Sequence, residues 1–240
     1  LAMTRAAGAV PALVQALADE NRPVRRTAGE ALRAIGAPAA PALIAFIAAP
    51  DSEDESARPR GAASARGYAV GALGAIGVPE AVPVLVTALS DADMWVRGYA
   101  AIGLQGLGTV EEAPALIRAL GDEDGWVSGS AAEALRIIGT LAAPALRDAL
   151  SDDDGRVRVR AASVLRTIGA SDPSATPALV AALDHEDAWV RGYAARELGE
   201  RAAADAAPAL VNALADSDLE MLYRDMVVIR AHNSLESMVT

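Results

Sequence analysis

The sequence predicts an all-α chain of about seven like helical hairpins, each about 31 residues long. Three observations point that way: a phrase that recurs at a nearly constant interval, an apolar fraction made of small aliphatic side chains, and Pro, Gly and Asp at fixed places within each interval. Hydrophobic residues make up 52% of the 240, but aromatic residues only 3%. Ala, Leu, Val and Ile in that proportion suit closely packed helices, whereas β-sandwiches draw on aromatic side chains, which argues against an all-β fold.

The phrase centres on a proline and runs Val10-Pro11-Ala12-Leu13, Ala40-Pro41-Ala42-Leu43, Val82-Pro83-Val84-Leu85, Ala113-Pro114-Ala115-Leu116, Ala143-Pro144-Ala145-Leu146, Thr176-Pro177-Ala178-Leu179 and Ala207-Pro208-Ala209-Leu210. Intervals between the prolines are 30, 42, 31, 30, 33 and 31 residues. A first helix starts at each phrase, because proline in the first turn forfeits an N–H that has no partner there anyway. Val82, Leu85, Val86 and Leu89 show its buried face at i, i+3, i+4, i+7. An acidic loop follows. The second helix then opens on a core residue (Val24, Val96, Val127, Val157, Val190 and, more loosely, Met221) and closes on Leu32, Leu104, Leu135, Leu165, Leu198 or Ile229. Paired small residues such as Ala100-Ala101 and Ala161-Ala162 lie between, allowing close helix approach. Gly36, Gly77, Gly108, Gly139 and Gly169 mark the exits as left-handed caps.

The units are about 8–36, 37–77, 78–108, 109–139, 140–169, 170–202 and 203–240, read as one domain over 1–240. The second carries an insertion, 51–61, whose charge and proline content predict a projecting loop.

The composite L-x-D-x-D-x-x-V-R-x-x-A-A-x-x-L-x-x-I-G, preceded by A-P-A-L, resembles the short HEAT-like repeats of the phycobilisome-lyase type. The resemblance extends over essentially the whole chain. It implies a right-handed α-solenoid, a superhelix of hairpins with the second helices lining the concave side. That class holds scaffolds, chromophore lyases, hydroxylases and designed binders, so the resemblance specifies the fold more sharply than the function.

Composition removes several chemistries. There is no cysteine, so thiolate nucleophiles, disulfides and Cys-based zinc sites are excluded. All 21 basic residues are Arg, which excludes a Schiff-base or P-loop lysine. His185 and His232 are the only histidines, too few for a His-rich metal site or a relay. Hydroxylase-like members of the class resembled carry His-Glu pairs at the starts of second helices to bind iron; Arg-Gly, Ser-Gly and Arg-Val stand there in this chain. No cofactor or metal is expected. The net charge of −11 repels duplex DNA and anionic membranes. The longest apolar run, 39–50, is too short to span a bilayer. Residues 5–18 imitate a signal peptide but fall in register with the first unit, which favours a cytoplasmic location.

Recurrent side chains receive structural readings first. Asp93, Asp124, Asp154, Asp187 and Asp218 each stand three residues before the core Val or Met, where an N-cap belongs; the calcium alternative lacks its closing ligands. Arg25, Arg66, Arg97, Arg158 and Arg191 follow the core residue and read as a ladder; the resemblance implies pairing with loop aspartates of adjacent units. Trp95, Trp126 and Trp189 read as covers over junctions between hairpins. Glycine at the second position past the core residue (Gly67, Gly98, Gly129, Gly192) has two readings: room for a partner's approach, or a residue of unit duplication. Trp-Val-Arg-Gly-Tyr-Ala-Ala does occur twice, at 95–101 and 189–195.

On a helical wheel, the face of the second helices turned from their core holds Tyr68, Tyr99, Ser130, Arg136, Arg160, Arg166, Tyr193 and Arg196, a composition typical of binding surfaces. The expected function is a non-enzymatic scaffold holding an acidic, extended or helical segment of another protein in that groove. A phycobilin-lyase-like handling of a chromophore is the alternative, and nucleic-acid binding a weaker third. The apolar last unit adds an expectation of end-to-end homodimerisation.

Overall fold

The computed structural model describes residues 7–49, 62–169, 174–201, 206 and 208–210. Among them lie six helical hairpins and no strand. The hairpins are α1 (Val10–Ala16) with α2 (Arg22–Ile35), α3 (Ala40–Ala48) with α4 (Ala62–Ile76), α5 (Val82–Ala88) with α6 (Met94–Leu107) and α7 (Ala113–Ala119) with α8 (Gly125–Ile138). Then come α9 (Ala143–Asp148) with α10 (Gly155–Thr167) and α11 (Ala175–Ala182) with α12 (Ala188–Glu200). The chain divides into two compact units, Leu1–Ile138 with the first four hairpins and Gly139–Thr240 with the other two.

Local sequence explains each hairpin. Pro11, Pro41, Pro83, Pro114 and Pro144 sit at the first or second position of their helices. The leucines that close the second helices (Leu32, Leu104, Leu135, Leu165 and Leu198) are wholly buried, and Val96, Val127, Val157 and Val190 are 3% exposed or less. Residues at the ends of the first helices, from Leu17 to Leu183, are buried opposite them. Each buried leucine removes on the order of 2 kcal/mol of apolar surface from water. Within each unit every second helix also packs along the second helix of the next hairpin, more extensively than the first helices meet. Gly74 and Gly103 permit this for α4 and α6: a Cβ on Gly74 would lie 2.7 Å from the Gly103 Cα.

Two expectations need correction. Val24 is 39% exposed rather than core, while its neighbour Arg25 is 8% exposed; Val24 lies in an open apolar hollow beside Leu13, Ala16, Thr27 and Ala28. Gly36, Gly77, Gly139 and Gly169 do have φ of 70 to 77°, the left-handed conformation that glycine adopts without strain. Gly108 instead has φ −67°. There the chain turns through a capping box, Thr109 N–H donating to Glu112 at 2.6 Å and Glu111 N–H to Thr109 at 3.2 Å. Glycine is needed at 108 for room, since a Cβ would lie 2.6 Å from the Leu104 carbonyl oxygen. Asp218, Met221, Ile229 and the rest of the last unit beyond Leu210 lie outside the described residues, as does the insertion at 51–61.

Candidate functional site

The acidic corners share one construction. The first acceptor of each loop takes the backbone N–H two residues on: Asp19 from Asn21 at 2.8 Å, and Asp91, Asp122 and Asp152 from Asp93, Asp124 and Asp154 at 2.9 Å. In the sixth repeat His185 does this through Nδ1, accepting from Asp187 at 3.0 Å. The aspartate two residues on from the first acceptor caps the helix. Asp93, Asp124, Asp154 and Asp187 accept from the backbone N–H of Trp95, Trp126, Arg156 and Trp189 at 2.8 to 2.9 Å. Asn21 makes no side-chain cap.

The arginine after the core residue fastens the same corner. Nη1 donates to two loop carbonyls at 2.7 to 2.9 Å: Asp19 and Glu20 for Arg25, Asp91 and Ala92 for Arg97, Asp152 and Asp153 for Arg158, His185 and Glu186 for Arg191. In the N-terminal unit some also reach the next corner. Arg66 pairs with Asp91 at 3.0 Å, and Arg97 grips Asp122 through Nε at 2.6 Å and Nη2 at 3.1 Å. The Asp122 hydrogen bond, outweighing burial, raises the Arg97 guanidinium above its ordinary range. Ser128, which interrupts the arginine series, satisfies itself on the Asp124 carbonyl at 3.1 Å.

The wheel-derived groove face is not an open floor. Ser130 is 8% exposed and its carbonyl accepts from Gln105 at 3.2 Å; Arg160 is 9% exposed, laid over the Trp189 ring at 4.2 Å. Arg166 donates to the wholly buried Glu197 at 3.1 and 3.5 Å, and Arg196 reaches the same carboxylate at 3.4 Å while stacking on Tyr193 at 4.1 Å. That hydrogen bond chiefly raises the Arg166 guanidinium against the cost of burial. Tyr193 stacks on Trp189 with centroids 4.8 Å apart. Arg136 is exposed, but tied to Glu133 one turn away. A wheel assigns one core direction, whereas a helix in a stack is covered from its flanks as well. The partner-approach reading of Gly98 falls for the same reason: a Cβ there would overlap the Trp126 ring of the following repeat.

An open hollow with polar groups does exist in the N-terminal unit, apart from the apolar one beside Val24. It has a volume of about 280 Å³ and is lined by Arg22, Arg25, Gly67, Tyr68, Trp95 and Tyr99, at the starts of α2, α4 and α6. Trp95 packs its Cβ 3.4 Å from where a Gly67 Cβ would stand, and Tyr99 lies 3.3 Å from the corresponding point at Gly71. Trp126 backs both, its ring centroid 5.2 Å from Trp95 and 5.3 Å from Tyr99. Trp95 remains 47% exposed. Arg22 Nε donates to the Tyr68 hydroxyl at 3.3 Å. The hollow thus presents aromatic faces beside two guanidinium groups. Tyr68 and Tyr99 come from the predicted set, Arg25 from the ladder and Trp95 from the covers. Arg22 was missed, because it precedes the repeated register and carries no signal of its own.

Among the described residues no group of three or more His, Asp or Glu side chains could hold a metal ion. Nor is any single described helix long and apolar enough to cross a membrane.

Comparison with family models matches HEAT repeats over residues 1–58, 55–136 and 143–224. The chain belongs to the HEAT-repeat family. HEAT repeats thus account for its all-α, solenoid-type fold. Among solved structures it is similar to YibA of Escherichia coli at 20% identity and a TM-score of 0.55, covering 95% of this chain and 85% of that one. It is also similar to the complex of CpcE and CpcF of phycocyanin lyase from a Nostoc species, at 24% identity and a TM-score of 0.48, over 65% of this chain and 98% of that one. Human deoxyhypusine hydroxylase matches at 22% identity and a TM-score of 0.37, over 98% and 99%. Comparison with curated proteins gives no match.

Proposed function

We propose that this HEAT-repeat chain is a non-enzymatic interaction module, in a cytoplasmic setting, that holds an acidic segment of a partner protein against the aromatic face of its N-terminal unit. The observation that carries the reading is the open hollow between Arg22, Arg25, Tyr68, Trp95 and Tyr99. Tryptophan, tyrosine and arginine dominate interface energetics, because they bury large areas and offer directed donors. A carboxylate here would gain charge-assisted hydrogen bonds in a half-desolvated place, where they are stronger than in open water. Tyr193, Arg166 and Arg196 contribute less in this reading, since each already has a partner in its own unit.

The test is copurification from the source organism with the full chain and with a W95A/Y68A double variant. A partner retained by the wild type and lost at least tenfold by the variant, at an unchanged melting temperature, supports the module. A partner set identical for both proteins would overturn it.

A further inference from the structure

The three ladder arginines of the N-terminal unit end differently, and Arg25 and Arg97 begin alike. Arg97 spends Nη1 on its own corner and offers the opposite edge, Nε and Nη2, to both oxygens of Asp122 at 2.6 and 3.1 Å. Arg66 reaches Asp91 at 3.0 Å. Arg25 makes the same Nη1 grip on Asp19 and Glu20, but its Nε is buried with no acceptor, and no carboxylate among the described residues meets it. Register supplies the reason. Asp91 and Asp122 stand two residues past Leu89 and Leu120, whereas two residues past Ile47 stands Ala49, whose side chain has no oxygen to offer. An unmet buried donor is unfavourable, so Arg25 carries a positive charge that its own corner satisfies less fully than Arg97's does.

We propose that the hollow formed by Arg22, Arg25, Tyr68, Trp95 and Tyr99 is a carboxylate-binding pocket anchored on the guanidinium group of Arg25. Arg25 is 8% exposed and lines a space of about 280 Å³, so the donor is held at a fixed place rather than waving in solvent. A guanidinium holds a carboxylate through charge-assisted hydrogen bonds, as Arg97 holds Asp122 one repeat on. Tyr68, Trp95 and Tyr99 surround the position with flat apolar faces, which select for an apolar body next to the charge. The volume lies at the low end of ligand pockets, room for a fused two-ring acid or one side chain. The carboxylate comes from a small aromatic acid or from an Asp or Glu of a bound segment; in the second case the inference rests on the proposed module and names its anchor.

The experiment follows the indole N–H signals of the full chain by NMR during titration with 1-naphthoate and, separately, with the capped peptide acetyl-Leu-Glu-Leu-amide. Either acid should shift the Trp95 signal saturably, while 1-naphthamide and the Gln peptide should not. Ala49→Asp, which restores the register carboxylate and leaves Arg25 intact, should weaken binding at least tenfold; Ala49→Val, which brings no acceptor, should leave it unchanged. Naphthoate binding without peptide binding supports the pocket while denying it to the protein partner. The pocket is overturned if the amides bind as well as the acids, if Ala49→Asp changes nothing, or if no acid binds. It is equally overturned if binding appears only after Asp51, Glu53, Asp54 and Glu55 are neutralised, which would make the chain's own acidic run the occupant. Failure of every probe alongside a partner lost by W95A/Y68A would sink this inference and leave the module standing.

Discussion

The same seven residues, Trp-Val-Arg-Gly-Tyr-Ala-Ala, build two different surfaces in the two units. At 95–101 the indole of Trp95 is 47% exposed and stands 6.4 Å from Tyr99, leaving a hollow. At 189–195 the ring of Trp189 stacks on Tyr193 at 4.8 Å, Arg160 covers the indole at 4.2 Å and Arg196 covers the phenol at 4.1 Å. The difference comes from two positions outside or beside the shared segment. Where the preceding repeat offers Arg160 to Trp189, it offers Tyr68 to Trp95; where Arg196 follows Tyr193, Ile102 follows Tyr99. Two guanidinium groups therefore seal one copy and leave the other open. In a repeat protein, a surface belongs to a junction rather than to a motif.

The sealed side is the easier to break. Arg166→Ala would leave the wholly buried Glu197 with only the longer Arg196 contact. Removing one member of a buried pair costs about 3–5 kcal/mol, and the partial exposure of Arg166 puts the expected loss near the lower figure. Urea denaturation checks it. Arg166→Ala with Glu197→Ala should recover much of that loss, since the other repeats hold Gly103, Ala134 and Val164 at the Glu197 position.

On the open side, Gly98→Ala tests whether Trp126 is the backing of the hollow. Alanine normally helps a helix interior by up to about 1 kcal/mol, and Gly106→Ala, with nothing nearby to meet, should show that gain. Gly98→Ala should instead cost roughly 1–3 kcal/mol by overpacking against the indole, read from the same denaturation curves. A gain at both positions would mean that Trp126 moves aside freely and the hollow lacks a rigid wall.

The smallest effect is acid dependence. Burial pushes the Asp187 carboxyl up, but the Trp189 amide, Arg156 and His185 outweigh it and hold it below the ordinary carboxylate range. A depressed carboxylate contributes stability that is complete above its unfolded value, near about 4, and is lost as pH falls through the folded one. Asp187→Asn, which keeps a capping side chain, should remove that acid-limb slope by at most about 1 kcal/mol, the scale of a half-exposed pair, in melts between about pH 5 and pH 2. An unchanged slope would assign the acid limb to other carboxylates.

The hairpins were legible because their signals are local and repeated: a proline at each start, a glycine at most exits, a leucine and a valine at fixed separation. One irregular repeat cannot obscure such a register. Side-chain partners across helices were less legible. Ser130 and Arg160 sat on the outward arc of a wheel, yet are covered by neighbours that no single-helix projection contains. Arg22 has no counterpart in other repeats, and the unmet donor at Arg25 depends on a missing side-chain oxygen at Ala49. Differences of that kind become meaningful only once the stack shows what each position touches.

The grip of each Nη1 on two loop carbonyls has a consequence for alkaline conditions. A lysine in that place would discharge near pH 10 and release its corner; guanidinium keeps its proton beyond any pH at which the backbone survives for long. Base should accordingly leave the turns of this chain latched.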